Sequence, residues 1–231
     1  MIHQLIFAHP KPGMSERDFQ DYWLNHHGPK LAAKIPQVRR YMIDSRVPFG
    51  PEPDDPLFSG VAEIWLENEE TSVASLQTPE LRAAREDEPN WAAFWQTVVL
   101  NTDAHVLKES GPPPGDGSQI KYFVLMKRKE GLSLPEFRRY ALEVHAPHVL
   151  ALPGLRRYYQ CHQRDSMYGI GEPGLDAAAI LWFDNVDDMS RAFAAPEYKL
   201  VRDDFPQFAE TKYIQNMAAT EQWIIGPEFR E

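Results

Sequence analysis

The chain contains an internal repeat that covers most of its 231 residues. The segment that begins at Ile2 is followed, from Ile120, by a second segment with the same order of residue types. The period is far above the roughly 20–50 residues of solenoids and propellers, so the duplicated unit has the size of a domain. The aligned positions include Phe19 and Phe137, Tyr22 and Tyr140, His27 and His145, Tyr41 and Tyr158, Trp65 and Trp182, and the segments Asp87-Glu-Pro89 and Asp204-Phe-Pro206.

A segment rich in proline and glycine separates the two copies. Residues 109–118 contain three prolines and three glycines, a composition typical of a linker. We therefore predict an N-terminal repeat at 1–109, a linker at 110–118 and a C-terminal repeat at 119–231.

The hydrophobic pattern predicts the same element order in both halves. Each half reads as β-α-β-β-α-β, the ferredoxin-like arrangement of an α+β protein. In the first half, Ser15 is suited to begin a helix and Gly28-Pro29 to end it. In each half the two helices cover one face of a four-stranded sheet and leave the other face open. We therefore expect the open faces of the two sheets to pack on each other into a barrel-like fold within one chain.

Composition excludes several classes of protein. The net charge of −10 argues against a nucleic-acid-binding protein and against binding to anionic membrane surfaces. Cys161 is the single cysteine, so an intrachain disulfide cannot form and a reducing compartment is expected. The N-terminus lacks a basic segment and a long apolar stretch, which leads us to expect a cytoplasmic protein.

One motif carries a family resemblance. The pattern F-x-x-Y-W-x-x-x-H-G-P is followed by P-x-V-x-x-Y, and together they resemble the EthD-type branch of the dimeric α+β barrel proteins. The resemblance covers both halves, although the second half has Ala141 and Ala146 in place of Trp and Gly. It implies a barrel of two ferredoxin-like units and a small-molecule enzyme, and the superfamily includes cyclases, isomerases, decarboxylases, cofactor-free monooxygenases and haem-binding branches. The residues that form the motif are Phe19, Tyr22, Trp23, His27, Gly28, Pro29, Pro36, Val38 and Tyr41.

His27 and His145 are the first catalytic candidates. Each is expected at the C-terminal end of a helix, where the helix dipole favours a cationic imidazole. A histidine beside an aromatic cavity can act as general acid or base near neutral pH. The alternative is that each imidazole only caps carbonyl groups at the helix end.

Arg39 and Tyr41 are the next candidates, because alternation along a strand places both on one face. There they can orient or polarise a substrate oxygen. A salt bridge of Arg39 at the sheet edge is the simpler alternative. Tyr22 precedes His27 by five residues, or about 140° on an α-helix, so the two side chains need not share a site.

The expected substrate pocket is asymmetric. Since the first half retains the tryptophan and glycine of the motif, we expect one principal pocket around His27. We expect His3, at the end of the first strand, to be exposed to solvent. The residues predicted to line the substrate pocket are Tyr22, Trp23, Trp95, His105 and Tyr158.

No sequence motif for a metal, dinucleotide or P-loop site is present. We expect no cofactor, and a hydrophobic, oxygenated small molecule as substrate. The expected chemistry is proton transfer, as in cyclisation, isomerisation, dehydration or decarboxylation, with a lyase or isomerase as the leading class. A cofactor-free or haem-dependent monooxygenase and a non-catalytic carrier or scaffold are the alternatives, and a homodimer is left open.

Overall fold

The computed structural model describes residues 1–50, 56–110 and 113–230. The chain divides into two compact units. Each unit consists of most of one repeat together with short pieces of chain from outside it. The first unit contains Met1–Asn101, Pro113–Gly117 and Ala219–Glu231, and the second contains Thr102–Pro112 and Ser118–Ala218.

Eight strands form the sheet structure of the described residues. In the order of their hydrogen bonding they read β1-β3-β2-β8-β5-β7-β6-β4, which closes as a barrel. Their bounds are β1 Ile2–Ala8, β2 Val38–Arg46, β3 Gly60–Leu66, β4 Val98–Lys108, β5 Asp116–Met126, β6 Arg157–Gln163, β7 Ala177–Phe183 and β8 Gln215–Ile225.

The two units have corresponding strand pairings. In the first unit, β3 lies between β1 and β2 and is antiparallel to both. In the second unit, β7 lies between β5 and β6, again antiparallel to both. The free edge of β2 pairs with the end of β8, where Arg46 is opposite Ala219, and the free edge of β6 pairs with the end of β4, where Thr102 is opposite Gln163.

The strand order keeps the four strands of each repeat adjacent, as expected, and β4 and β8 each pair in addition with a strand of the other repeat. β4 and β8 have 11 residues each, so each strand is long enough to contribute to both units. β5 also begins at Asp116, inside the predicted linker. There the carbonyl oxygen of Gly115 accepts a hydrogen bond from the N–H of Trp223 at 3.0 Å. Residues 111–112 of that linker, and 51–55 of the proline-rich loop before β3, lie outside the described residues.

The helices begin where side chains can cap them. Ser15 accepts the N–H of Asp18 at 3.1 Å, as the sequence predicts. Ser133 and Glu136 form a capping box, in which each side chain accepts the backbone N–H of the other residue. The α-helices are α1 Glu16–Tyr22, α2 Gly28–Lys30, α3 Glu69–Ser75, α4 Pro79–Asp87, α5 Leu134–Tyr140, α6 Ala146–Leu150, α7 Asp165–Tyr168, α8 Val186–Ala194 and α9 Pro196–Phe208.

A π-helical segment follows the first helix of each repeat. Trp23–His27 connects α1 to α2, and Ala141–His145 connects α5 to α6. The prediction that Gly28-Pro29 ends the helix was therefore wrong. The proline is accommodated because it occupies the first turn of α2, where a backbone N–H is not needed.

Within the described residues, no helix is long and apolar enough to cross a membrane.

Candidate active site

The π-helical segment of the second unit brings Tyr140 and His145 to one carboxylate. His145 Nδ1 lies 2.8 Å from Asp204 Oδ2, and the hydroxyl of Tyr140 donates to Asp204 Oδ1 at 2.7 Å. On an α-helix, residues five apart point in different directions. A π-helical turn closes through i→i+5 hydrogen bonds, so it brings such residues into line.

The surroundings of the His145 imidazole favour its neutral form. Its side chain is almost fully buried, and this burial lowers its pKa, while the hydrogen bond and the charge of Asp204 oppose that shift. In the neutral ring, Nδ1–H donates to Asp204 and Nε2 carries a lone pair. Nε2 has no hydrogen-bond partner among the described residues. Burial therefore opposes the cationic form that we expected the helix dipole to favour, and the helical chain continues past His145 into α6.

A cavity of about 330 Å³ lies beside His145 in the second unit. Strands β5, β6 and β7 line one side of it, and helices α6, α8 and α9 line the other. The innermost polar residues are His145 and Tyr158, which are 3% and 0% exposed, while Arg202 and Asn216 are exposed. Aliphatic and aromatic side chains make up most of the lining: Tyr122, Val124, Met126, Val149, Ala179, Leu181, Phe193, Tyr198, Val201, Phe205 and Ile214.

The first unit repeats the same hydrogen-bonded group. The hydroxyl of Tyr22 donates to Asp87 Oδ1 at 2.8 Å, and His27 Nδ1 lies 3.0 Å from Asp87 Oδ2. Burial likewise lowers the pKa of His27. The ring of Trp91 lies 4.7 Å from that of His27. The cavity beside His145 does not include His27, which makes the second unit the better candidate site.

Asp87 and Asp204 are the residues to which the sequence analysis gave no role. Both belong to a repeated D-x-P segment, Asp87-Glu-Pro89 and Asp204-Phe-Pro206. A carboxylate retained at the same place in both copies, along with the histidine, was the available signal.

Two residues predicted on one face of β2 have different environments. Tyr41 is buried, and its hydroxyl accepts a hydrogen bond from Trp23 Nε1 at 2.9 Å. Arg39 instead forms a salt bridge of 2.9 Å with Glu67 and donates to the carbonyl oxygen of Arg230. An irregularity between Val38 and Arg40 breaks the strand alternation on which the prediction depended. Arg39 thus has the salt-bridge environment that was the alternative.

Trp95 and His105 do not line the cavity beside His145. Trp95 is 67% exposed, because it lies in a short 3₁₀ turn that follows the buried segment 91–93. His105 lies on β4, where its ring is 4.8 Å from that of His162. His3, expected to be exposed, is buried and lies 2.6 Å from Glu63 Oε2. A carboxylate on the neighbouring strand β3 makes its burial tolerable.

The described part of the chain holds no cluster of three or more His, Cys, Asp or Glu side chains suited to a metal ion.

Comparison with known families agrees with this architecture. A family model described as the EthD domain matches twice, at residues 11–94 and 129–212. The chain belongs to the EthD family. The two matched EthD ranges contain the two Tyr–His–Asp groups, one in each range. No curated protein matches the chain.

Solved structures share the fold at low sequence identity. An anthrone oxidase-like protein is 12% identical with a TM-score of 0.67, and the match covers 96% of this chain and 92% of that one. A candidate monooxygenase from Fusobacterium nucleatum is 10% identical with a TM-score of 0.62, covering 99% and 95%. Another from Lactobacillus acidophilus is 12% identical with a TM-score of 0.56, covering 100% and 99%. At these identities the likeness is one of fold alone.

Proposed function

We propose that this EthD-family protein is an enzyme in which His145 acts as a general base on an apolar, oxygenated small molecule. The observation that carries the proposal is the orientation of the imidazole. Nδ1 is held by Asp204, and Nε2 is left without a protein partner in a residue that lines a cavity. A carboxylate that fixes the tautomer and orientation of a histidine is a recurring arrangement in proton-transfer sites.

The chemistry begins with removal of a proton. Nε2 accepts a proton from a C–H or O–H group next to a carbonyl or aromatic system, and the resulting imidazolium is stabilised by Asp204. Cyclisation, isomerisation, dehydration and decarboxylation can each follow from or include such a step. Because burial lowers the pKa of His145, the base form is present at neutral pH and persists below the ordinary histidine value of about 6.5.

The cavity supports a compact, apolar substrate. Its volume of about 330 Å³ is near the lower end of the range for small-molecule sites, and its lining is mostly apolar. A haem group needs an axial ligand, which Nε2 of His145 can provide by its chemistry. A volume of about 330 Å³ favours a compact substrate over a group as large as a tetrapyrrole.

The base can be tested without knowing the natural substrate. 1-Tetralone is an aromatic ketone with acidic C–H groups, and NMR follows the exchange of these hydrogens in D₂O. We expect the protein to accelerate this exchange and His145→Gln to lower the rate by roughly 100-fold or more, the scale of general-base catalysis. His148→Gln is the matched control, since His148 lies on the same helical run but does not line the cavity.

The outcomes separate the candidate functions. Unchanged exchange by the His145→Gln variant contradicts the assignment of the base, and a loss of exchange in His27→Gln alone moves the site to the first unit. Oxygen uptake with anthrone as the probe favours a cofactor-free monooxygenase that uses the same base. Saturable binding of the ketone without exchange favours a carrier.

A further inference from the structure

The amide of Gln160 has a fixed orientation in the second unit. One amide nitrogen, Nε2, lies 2.8 Å from the carbonyl oxygen of Ala141 and 2.6 Å from the hydroxyl oxygen of Tyr158. A carbonyl oxygen can only accept, so the nitrogen and not the oxygen of the amide must face Ala141. The amide oxygen then lies 3.0 Å from His162 Nε2, from which it accepts a hydrogen bond.

This orientation makes the Tyr158 hydroxyl an acceptor. Both hydrogens of the Gln160 amide are committed, one to Ala141 and one to Tyr158. The hydroxyl proton of Tyr158 therefore cannot point at Gln160, and the side chain makes no other hydrogen bond to the described residues. Tyr158 is 0% exposed and lines the cavity beside His145. A buried donor without an acceptor is costly, and a ligand oxygen in the cavity would remove that cost.

The first unit achieves the same result with a different donor. There the indole N–H of Trp23 donates to the hydroxyl of Tyr41, the repeat equivalent of Tyr158. An indole N–H can only donate, so Tyr41 is also an acceptor with its own proton uncommitted. The second repeat has Ala141 where the first has Trp23, and the Gln160 amide takes over the lost donor. In both repeats a donor, the Trp23 indole or the Gln160 amide, makes the tyrosine hydroxyl an acceptor. The feature that the repeats share is therefore the uncommitted hydroxyl proton.

We propose that Tyr158 donates a hydrogen bond to an oxygen of the substrate, and that Gln160 is the positioning residue that keeps this proton available. The substrate class is then a ketone or phenol whose oxygen gains negative charge. This step rests on the proposed function: a substrate C–H or O–H bond breaks, its proton passes to His145 Nε2, and the electron pair moves onto the oxygen bound by Tyr158. No oxidant or reductant is needed. Hydrogen bonds to such developing charge are a major source of catalysis.

The test uses 4-nitrophenol, whose acidic hydroxyl and resulting oxyanion imitate the reacting group. Its affinity is measured by the change in its visible absorption, for the unaltered protein and for Tyr158→Phe and Gln160→Glu. We expect each variant to bind about 10- to 100-fold more weakly, the value of a hydrogen bond to a charged group. In Gln160→Glu, the introduced carboxylate accepts the Tyr158 proton and so reverses the hydrogen bond. Tyr159→Phe, the next residue on β6, removes a hydroxyl bonded to Glu109 and should leave the affinity unchanged.

A neutral probe keeps the result independent of folding. 4-Nitrotoluene has no acidic hydroxyl and forms no oxyanion, and its nitro oxygens are weak acceptors, so its binding to all variants should agree within about twofold. Equal losses for both probes, no loss in Tyr158→Phe, or the absence of saturable 4-nitrophenol binding by the unaltered protein would overturn the proposal. The role of His145 is tested separately by hydrogen exchange in 1-tetralone. If Tyr158→Phe exchanges more slowly and His145→Gln still lowers the rate, the proposed base stands whatever the outcome for Tyr158.

Discussion

His162 makes the stability of the second unit depend on pH. Its side chain is buried, and its pKa is lowered from 6.5 to about 3 by this burial and by the nearby charges of His105 and Arg138. Protonation would place a hydrogen on Nδ1, a buried atom that has no hydrogen-bond partner among the described residues. The folded state therefore resists a proton that the unfolded chain accepts readily.

The size of the effect follows from the two pKa values. Because the pKa is lowered in the folded state, the stabilisation is complete above pH 6.5 and is lost as the pH falls towards 3. Each pH unit between these limits changes the free energy of unfolding by up to about 1.4 kcal/mol. Between pH 6 and pH 4, His162 alone should remove roughly 2–3 kcal/mol of stability.

The assay is urea unfolding of the unaltered protein and of His162→Gln at several pH values from 7 to 4. Glutamine does not titrate in this range and can still donate to the amide oxygen of Gln160. The contributions of the other groups cancel in the difference between the two proteins, so the unaltered protein should lose the extra 2–3 kcal/mol as the pH falls, within about 1 kcal/mol. His148→Gln, at a partly buried position on α6, is the control for a general effect of removing an imidazole. Parallel pH profiles for the unaltered protein and His162→Gln would refute the reasoning.

Three further predictions concern the helices and the base. Asp204→Asn should lower the rate of 1-tetralone exchange by roughly 100-fold or more, since the imidazole loses the group that fixes its tautomer, and NMR measures that rate. Ser133→Ala should lower the free energy of unfolding by about 1 kcal/mol through loss of the helix cap, whereas Ser190→Ala within α8 should change it by less than about 0.5 kcal/mol in the same urea titration. Gly28→Ala should destabilise by about 1–3 kcal/mol in urea, because the added methyl group would lie 2.8 Å from the backbone oxygen of Trp23, and an unchanged midpoint would contradict that contact.

Much of the element order could be predicted because local chemistry determines it. The hydrophobic pattern predicts strands at 38–46 and 177–183 and a helix at 186–194, and β2, β7 and α8 have these bounds. Each is an apolar pattern bordered by residues that cap, turn or break it. The partner of a strand is not a local property. The pairing of β4 with β6 depends on strand length and on the geometry of closure, and alternation within β4 says nothing about its neighbour.

The candidate site was predicted only in part for the same reason. His145 and Tyr158 were visible as repeated residues, but the carboxylate that orients His145 lies 59 residues away in sequence. An angle of 100° per residue also placed Tyr140 away from the histidine. The π-helical turn that removes this angle spans only 141–145, which is too short to show a period of its own in the apolar pattern. The loss of tryptophan at Ala141 pointed to a decayed second site, whereas Gln160 supplies the missing donor from β6, the strand that also carries Tyr158.

Each π-helical segment contains one residue more than an α-helical turn. This extra residue brings the tyrosine and the histidine of its repeat to the same aspartate. Deleting one residue from 141–145 would restore ordinary α-helical winding and rotate the imidazole away from its carboxylate. The shortened helix would gain regular i→i+4 hydrogen bonds, but the Tyr–His–Asp group would come apart. Selection for stability alone would therefore tend to remove the extra residue, and under the proposed function helix winding and the orientation of the histidine oppose each other. In a duplicated chain, each copy can keep or lose its extra residue independently. Deletion of one residue before Pro29 or Pro147 would be the simplest route by which one copy becomes purely structural.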